Sequence, residues 1–246
     1  MKNNSIKEMI CILDQSGSMY GREEDTIRSY NDMLKEQKQQ EGEAYITTAL
    51  FSDQCHILYR HMPIRQAEAL TQMEYYTYGN TALFDAIGTV FEEVEPEKNE
   101  KVLVFIMTDG MENASMQYDQ KKVRHLIQEK QRKGWEILFF GTEMRILNLA
   151  EETGIKKEHT MYYSKDFEGI RTGYELAGTD FLKYEKKNKQ EKQIFQTVFY
   201  TKTAKKNSRS YTPEERRNRG EKEKNHHFTG SRITGGLDIA GFAQCP

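Results

Sequence analysis

The chain has 246 residues, of which 37% are hydrophobic and 30% charged, so it can form one α/β domain with an extension but is more polar than an average globular protein. The formal net charge is only −2. No apolar run approaches the roughly 20 residues of a membrane-spanning helix, and the first residues lack the apolar stretch of a signal peptide, so we expect a cytoplasmic protein without membrane contact.

Up to about residue 180, strand-like segments alternate with helix-like segments. The predicted strands are residues 6–13, 44–51, 55–59, 102–107, 137–140 and 159–163, with a hairpin turn at 52–54. The predicted helices are residues 23–40, 81–94, 119–133 and 143–152, with a last helix from residue 166 onward. Such alternation predicts an α/β fold with a mostly parallel central sheet and helices on both faces.

The run VLVFIM at residues 102–107 is the most apolar segment and indicates a central strand buried on both faces. The cysteines are few and far apart, which does not fit a zinc or redox motif. Cys11 lies inside an apolar run and is interpreted as a buried thiol, and Cys55 as a reduced thiol as well.

Oxygen-bearing side chains follow two of these strands, where binding sites of parallel sheets form. Asp14, Ser16 and Ser18 come directly after the first strand, and Asp109 follows the central strand. Thr81 lies at the start of the helix between them. Two carboxylates and three hydroxyls, without imidazole or thiolate, suit a hard cation such as Mg²⁺, with Mn²⁺ or Ca²⁺ as alternatives.

At these positions the sequence resembles the von Willebrand factor A and integrin I-type family, in its intracellular bacterial or phage form. The family's metal-ion-dependent adhesion site (MIDAS) is written Asp-x-Ser-x-Ser, then Thr, then Asp, and all five positions are filled here. The resemblance covers residues 6–180 and implies a Rossmann-like, three-layer α/β/α domain. It also implies that the serines bind the metal directly, that the aspartates act directly or through water, and that a partner's Asp or Glu completes the metal shell.

Three other interpretations concern these residues or their neighbours in sequence. Asp14, Ser16 and Ser18 could form a polar turn that caps the next helix. A metal-dependent hydrolase or phosphatase is the alternative function, although Ser16 stands where phosphoryl-transfer enzymes of similar topology carry a second Asp and no catalytic constellation is recognised. Glu112 and Asn113 lie near Asp109 in sequence and could reach the site through water.

Charge divides the chain into two parts. Residues 1–182 carry 21 Lys and Arg against 31 Asp and Glu, a balance of −10, whereas residues 183–224 carry 14 against 6, a balance of +8. We therefore predict an acidic domain over residues 1–182 and a basic C-terminal extension over 183–246, which we expect to be disordered because it cannot bury enough apolar surface. The basic residues 183–224 are a candidate for nucleic-acid binding, or a solvated linker.

Overall fold

The computed structural model describes residues 7–96, 101–164 and 166–175. The strands in this part of the chain are β1 (Lys7–Asp14), β2 (Ala44–Phe51), β3 (Cys55–Pro63), β4 (Lys101–Thr108), β5 (Glu136–Gly141) and β6 (Thr160–Tyr162). The α-helices described are α1 (Glu23–Lys38), α2 (Leu83–Glu93), α3 (Gln120–Arg132), α4 (Met144–Glu152) and α5 (Phe167–Glu175). The strands form one sheet in the order β3-β2-β1-β4-β5-β6.

Every neighbouring pair of strands is parallel except β2 and β3, which form an antiparallel hairpin at one edge. The two central strands, β1 and β4, therefore both end at the same edge of the sheet. Because β1 and β4 are adjacent, the residues that follow Asp14 and Thr108 emerge side by side. This topology brings together two segments that are nearly a hundred residues apart in sequence.

Helices cover both faces of the sheet, which gives the predicted three-layer architecture. Alternate residues of β1 point to opposite faces: Cys11 packs in the core beneath α1 and α5, and Ile12 packs in the core beneath α2, α3 and α4. The run at β4 is buried along Val102–Thr108, as expected for a central strand covered on both sides. The α/β fold with a mostly parallel sheet is thus confirmed.

The predicted elements are all present, with bounds that differ by a few residues. The strand predicted at 55–59 continues to Pro63, and the predicted edge strand near residue 160 is β6. The helix predicted from residue 81 begins at Leu83, which leaves Thr81 in the preceding loop. Cys11 is completely buried, and burial raises the pKa of its thiol well above the ordinary value.

None of the helices within the described ranges is long and apolar enough to cross a membrane. The predicted basic extension, the boundary at residue 182 and Cys245 lie outside the described residues.

Candidate functional site

The first part of the site is the loop that leaves the end of β1. Asp14 is 1% exposed, and both of its carboxylate oxygens accept hydrogen bonds. The Ser16 backbone N–H donates to Asp14 Oδ1 at 2.7 Å, and Thr108 Oγ1 donates to Asp14 Oδ2 at 2.5 Å. Because Thr108 is the last residue of β4, this second bond ties the ends of the two central strands together.

Burial also affects the charge of this carboxyl group. Desolvation raises the pKa of Asp14 from 3.8 to about 6, although hydrogen bonds from Ser16 and Thr108 act in the opposite direction. The nearby carboxylate of Asp109 contributes to this rise in the pKa. The metal-free site thus holds an acid whose charged form is poorly solvated, and a cation beside it would stabilise that form.

Three hydroxyl groups converge on one point above the backbone of Gly110. The hydroxyl groups of Ser16 and Ser18 share a hydrogen bond, with their oxygens 3.0 Å apart. A Cβ atom placed on Gly110 would lie 2.4 Å from Thr81 Oγ1, 3.0 Å from Ser18 Oγ and 3.3 Å from Ser16 Oγ. The absence of a side chain at Gly110 therefore leaves a small space lined by three oxygen donors.

This space opens into a cleft of about 420 Å³. Four of the five predicted site residues line the cleft, namely Ser16, Ser18, Thr81 and Asp109. The fifth, Asp14, does not line it and lies beneath the serines, where it holds the Ser16 backbone. The sequence prediction thus named residues that are brought together, but Asp14 is placed one layer below the others.

Thr81 is oriented by a residue from the loop after β4. Asn113 Oδ1 accepts the Thr81 backbone N–H at 2.9 Å, and the Asn113 N–H donates to the Thr81 carbonyl at 3.1 Å. The next residue, Ala82, donates its N–H to the Ser52 carbonyl at 2.7 Å. The Thr81 backbone is therefore fixed between two loops, which directs its hydroxyl toward Gly110.

The rest of the loop after β4 is held by two acidic side chains. Glu112 Oε2 accepts the Phe84 N–H at 2.8 Å at the start of α2, and its other oxygen accepts the Ser115 N–H at 2.8 Å. Asp85, in the first turn of α2, accepts three backbone N–H groups. These donors are Met116, Gln117 and Tyr118. The loop and the N-terminus of α2 thus form one hydrogen-bonded unit.

A second turn closes the other side of the cleft. Gly79 has φ of +66°, a conformation that favours glycine, and a Cβ there would overlap the Asp53 carboxylate. Asp53 Oδ1 accepts the Asn80 N–H at 3.0 Å, and the Gly79 carbonyl accepts the Gly17 N–H at 3.0 Å. The hairpin turn after β2 therefore supports the loop that carries the serines.

The tyrosines that precede Thr81 have two different roles. Tyr75 is completely buried, and its hydroxyl donates to the Asp14 carbonyl at 2.5 Å. Tyr76 and Tyr78 are 54% and 40% exposed and stack with ring centroids 5.2 Å apart. One tyrosine thus supports the site from below, and two present an aromatic surface beside it.

The donor set fits a small divalent cation. Two oxygen ligands at right angles on an ion with Mg–O distances of about 2.1 Å lie about 3.0 Å apart, which is the separation of the Ser16 and Ser18 hydroxyl oxygens. The point they face is kept open by Gly110. Asp109 also lines this cleft, and its side chain is completely buried beside it. Hydroxyl and carboxylate oxygens are the ligands that hard cations prefer.

Several supporting residues were missed or underestimated from the sequence. Thr108, Asp53 and Asp85 carry no motif signal for the bonds described above. The sequence suggests only that Asn113 and Glu112 reach the metal through water. In the structure, both side chains accept backbone N–H groups directly. The signal that could have revealed the anchoring role of Glu112 and Asn113 is the polar composition of the Asp109–Gln120 connection.

Comparison with known proteins concerns the domain as a whole. A model of the von Willebrand factor type A domain matches residues 8–175. A search of curated protein sequences found no match.

Solved structures with the same fold come from diverse sources. The vWF domain of the type V pili tip protein Mfa5 from Porphyromonas gingivalis has a TM-score of 0.56 at 11% identity, covering 72% of this chain and 95% of that one. Proximal thread matrix protein 1 from the mussel byssus has a TM-score of 0.53 at 14% identity, covering 70% and 45% respectively. A von Willebrand factor type A protein from Catenulispora acidiphila has a TM-score of 0.50 at 14% identity, covering 71% and 42%. The chain thus spans less than half of the latter two, and at these identities the likeness concerns the fold.

Proposed function

Because the chain belongs to the von Willebrand factor type A domain family, we propose that it is a metal-dependent protein-binding module, an adaptor that docks an acidic side chain of a partner on a bound divalent cation. The observation that carries this proposal is the convergence of the Ser16, Ser18 and Thr81 hydroxyls at Gly110, on the wall of the cleft. The proposed site consists of Asp14, Ser16, Ser18, Thr81 and Asp109.

Each of these residues has a distinct proposed role. Ser16 and Ser18 bind the cation directly, because their oxygens already have the spacing of neighbouring ligands. Asp109 supplies negative charge from the cleft wall, and Thr81 engages from the opposite loop. Asp14 acts from beneath by holding the Ser16 backbone and by interacting with the cation through water. A cation with so few charged ligands attracts a further carboxylate.

We propose Mg²⁺ as the resident cation, with Mn²⁺ or Ca²⁺ as alternatives. The support is chemical, since the donors are hydroxyl and carboxylate oxygens. A solved structure of the mussel proximal thread matrix protein 1, with a TM-score of 0.52 to this chain, has a zinc-occupied MIDAS motif. That finding supports a divalent cation at this place in the fold, although it concerns a protein only 14% identical.

The surface around the cleft supports a protein as the partner. Four exposed large hydrophobic side chains lie in the loops that carry residues of the cleft, namely Tyr20, Tyr76, Tyr78 and Met116, and a fifth, Met144, begins α4 next to Glu143. Aromatic and methionine side chains are enriched in protein interfaces, where they supply apolar contact area. A partner carboxylate on the cation, surrounded by such contacts, would give both orientation and affinity.

A pull-down comparison tests this function. We expect the wild-type chain to retain partner proteins from its own cells in Mg²⁺ and to lose them in EDTA. Asp14→Ala should lose the same partners without EDTA. Arg171→Ala, on the exposed surface of α5, serves as a matched control that should retain them. Partners that bind equally in Mg²⁺, in EDTA and to Asp14→Ala would contradict the proposal.

The hydrolase alternative makes a different prediction. Turnover of generic phosphoesters that requires a divalent metal and disappears in Asp14→Ala would replace the docking function by catalysis. We propose that no such turnover occurs, because Ser16 occupies the position of the second carboxylate in phosphoryl-transfer sites of similar topology.

The basic residues 183–224 suggest an additional contact. We infer that the chain consists of a von Willebrand factor type A domain at residues 1–182 and an extension at 183–246. The balance of +8 over residues 183–224 favours nucleic acid as a further partner of the extension. Binding to a polynucleotide that weakens steeply with salt and is lost on deleting residues 183–224 would support this contact. Salt-independent binding would contradict it.

We also propose a cytoplasmic location. The two cysteines within the described ranges, Cys11 and Cys55, are free thiols, which is typical of a reducing compartment. Cell fractionation with the native chain tests this assignment.

A further inference from the structure

A guanidinium group lies at the rim of the proposed metal site. Arg22 directly precedes α1, and its Nη1 is 3.5 Å from Asp109 Oδ2. The Asp109 side chain is 0% exposed and that of Arg22 only 23%. The same nitrogen donates to the Ser18 carbonyl at 2.7 Å and to the Tyr20 carbonyl at 3.3 Å. Arg22 is therefore fixed to the loop that carries the proposed serine ligands, with its charge directed at an acidic residue of the site.

Formal charges show what this placement does. Asp14 and Asp109 carry two negative charges, and Arg22 offsets one of them, which leaves −1 before a cation enters. A divalent cation brings the group to +1, whereas the same group without Arg22 would become neutral. The low exposure of these side chains makes such charges interact more strongly than they would in water. Arg22 therefore opposes the entry of a cation alone and leaves a positive charge once the cation has entered.

We propose that Arg22 makes the cation and the partner's carboxylate bind cooperatively, because it disfavours the cation by itself and favours the carboxylate once the cation is present. This inference rests on the proposed function, and it identifies Arg22 as a positioning residue for the partner's acidic group. By linkage, the carboxylate must then strengthen cation binding by the same factor that the cation strengthens carboxylate binding.

A purely structural role for Arg22 predicts the opposite effect of its removal. If Arg22 only tied the Ser18 and Tyr20 carbonyls, its loss would loosen the serine loop and weaken cation binding. If its charge sets the cooperativity, its loss strengthens the binding of the cation alone. The sign of the change separates the two roles.

The same cleft offers a matched control. Arg145 also lines the cleft, but its side chain is 75% exposed and pairs with the Glu143 carboxylate at 3.0 Å. That pair is formally neutral and solvated, so removing Arg145 should change cation binding little. Arg22→Lys keeps the positive charge and provides a second control.

The experiment is a calorimetric titration of the full chain with Mn²⁺, alone and with saturating N-acetylglutamate amide, a probe with one side-chain carboxylate. N-acetylglutamine amide is the uncharged control probe. We expect the carboxylate probe to tighten Mn²⁺ binding to the wild type, and the amide probe to have no effect. Arg22→Gln should bind Mn²⁺ alone more tightly, on the order of tenfold, and should lose most of the enhancement by the carboxylate. Arg22→Lys and Arg145→Gln should resemble the wild type.

Three outcomes would overturn the inference. The first is a folded Arg22→Gln that binds Mn²⁺ no more tightly than the wild type. The second is a wild type whose Mn²⁺ affinity does not change when the carboxylate probe is added. This second outcome can be measured even if Arg22→Gln does not fold. The third is a wild type that binds no Mn²⁺, which would overturn the proposed metal site as well and is thereby distinguished from a failure of Arg22 alone.

Discussion

The two loops that meet at the cleft are built in different ways. The loop after β1 carries the serines in four residues and is held mainly by backbone contacts, such as Gly17 N–H to the Gly79 carbonyl. The loop after β4 contributes Asp109 to the lining of the cleft. The rest of this loop mainly anchors the Thr81 backbone and the start of α2. Side chains anchor this loop, because Glu112 and Asn113 of the loop and Asp85 of α2 all accept backbone N–H groups.

The loop after β1 thus supplies proposed metal ligands, whereas the loop after β4 mainly holds the neighbouring segments in position. The first loop determines which oxygens face the cation, and its backbone hydrogen bonds to Phe51 and Gly79 restrict its conformation. The second loop determines where Thr81 and the start of α2 lie relative to those oxygens. A change at the oxygen-bearing residues, or at Gly110 beside them, should therefore affect metal binding before stability, and a change at the side chains that anchor the second loop should affect stability first.

The largest effect on stability is expected at Asp85. Asp85→Ala leaves three backbone N–H groups at Met116, Gln117 and Tyr118 without their acceptor, which should lower the free energy of unfolding by about 3 kcal/mol. Urea denaturation measures this loss. Asp119→Ala is the matched control, because Asp119 caps α3 through one bond to Lys122 N–H and should cost about 1 kcal/mol. Equal losses of unfolding free energy in Asp85→Ala and Asp119→Ala would contradict the anchoring role of Asp85 for the loop after β4.

A smaller effect on stability but a large one on metal binding is expected at Gly110. The methyl group of Gly110→Ala would occupy the space that the Thr81, Ser18 and Ser16 hydroxyls face, so Mn²⁺ affinity should fall on the order of a hundredfold. Calorimetric titration measures the affinity, and circular dichroism verifies the fold. Met111→Ala, which lines the same cleft without an oxygen ligand, should change the affinity little. Retained affinity in Gly110→Ala would place the cation elsewhere.

The smallest effect is a dependence on pH through Asp14. Burial raises the pKa of Asp14 to about 6 in the metal-free protein, so the folded chain binds this proton more tightly than the unfolded chain does. Lowering the pH from 7.5 to 5 should therefore make the contribution of Asp14 to the stability of the metal-free protein more favourable. The same change should weaken metal binding. The Mg²⁺-induced rise in Tm should shrink over this range in the wild type. Asp14→Asn should lack this pH-dependent change, and a wild-type rise in Tm that is constant from pH 7.5 to 5 would contradict the account.

The sequence predicted the fold well because its strands are strongly apolar and its helices are periodic. The segment Val102–Thr108 is buried throughout, and the residues of α2 at helical spacing face the core. Errors arose at element ends, where β3 continues four residues beyond its prediction and α2 begins at Leu83. Pairing with β2 extends β3, and apolar periodicity alone does not contain that information.

The site was predicted only in part, for a physical reason. Ser16 and Ser18 lie two residues apart, so a short motif reveals them, and the strand ends reveal Asp109. The depth of Asp14 beneath the cleft depends on Thr108, a residue 94 positions away in sequence. Arg22 was missed because its relation to Asp109 exists only when two strand ends are adjacent. Contacts of this kind depend on topology and leave no local pattern.

The proposed metal site can be observed by anomalous diffraction at the manganese edge from crystals of the chain grown with MnCl₂. We expect one strong peak beside Gly110, within coordination distance of the Ser16 and Ser18 hydroxyl oxygens. The peak should be absent from crystals of Gly110→Ala grown in the same way. A wild-type structure with no peak at this point, or with the ion bound elsewhere in the domain, would contradict the proposed metal site.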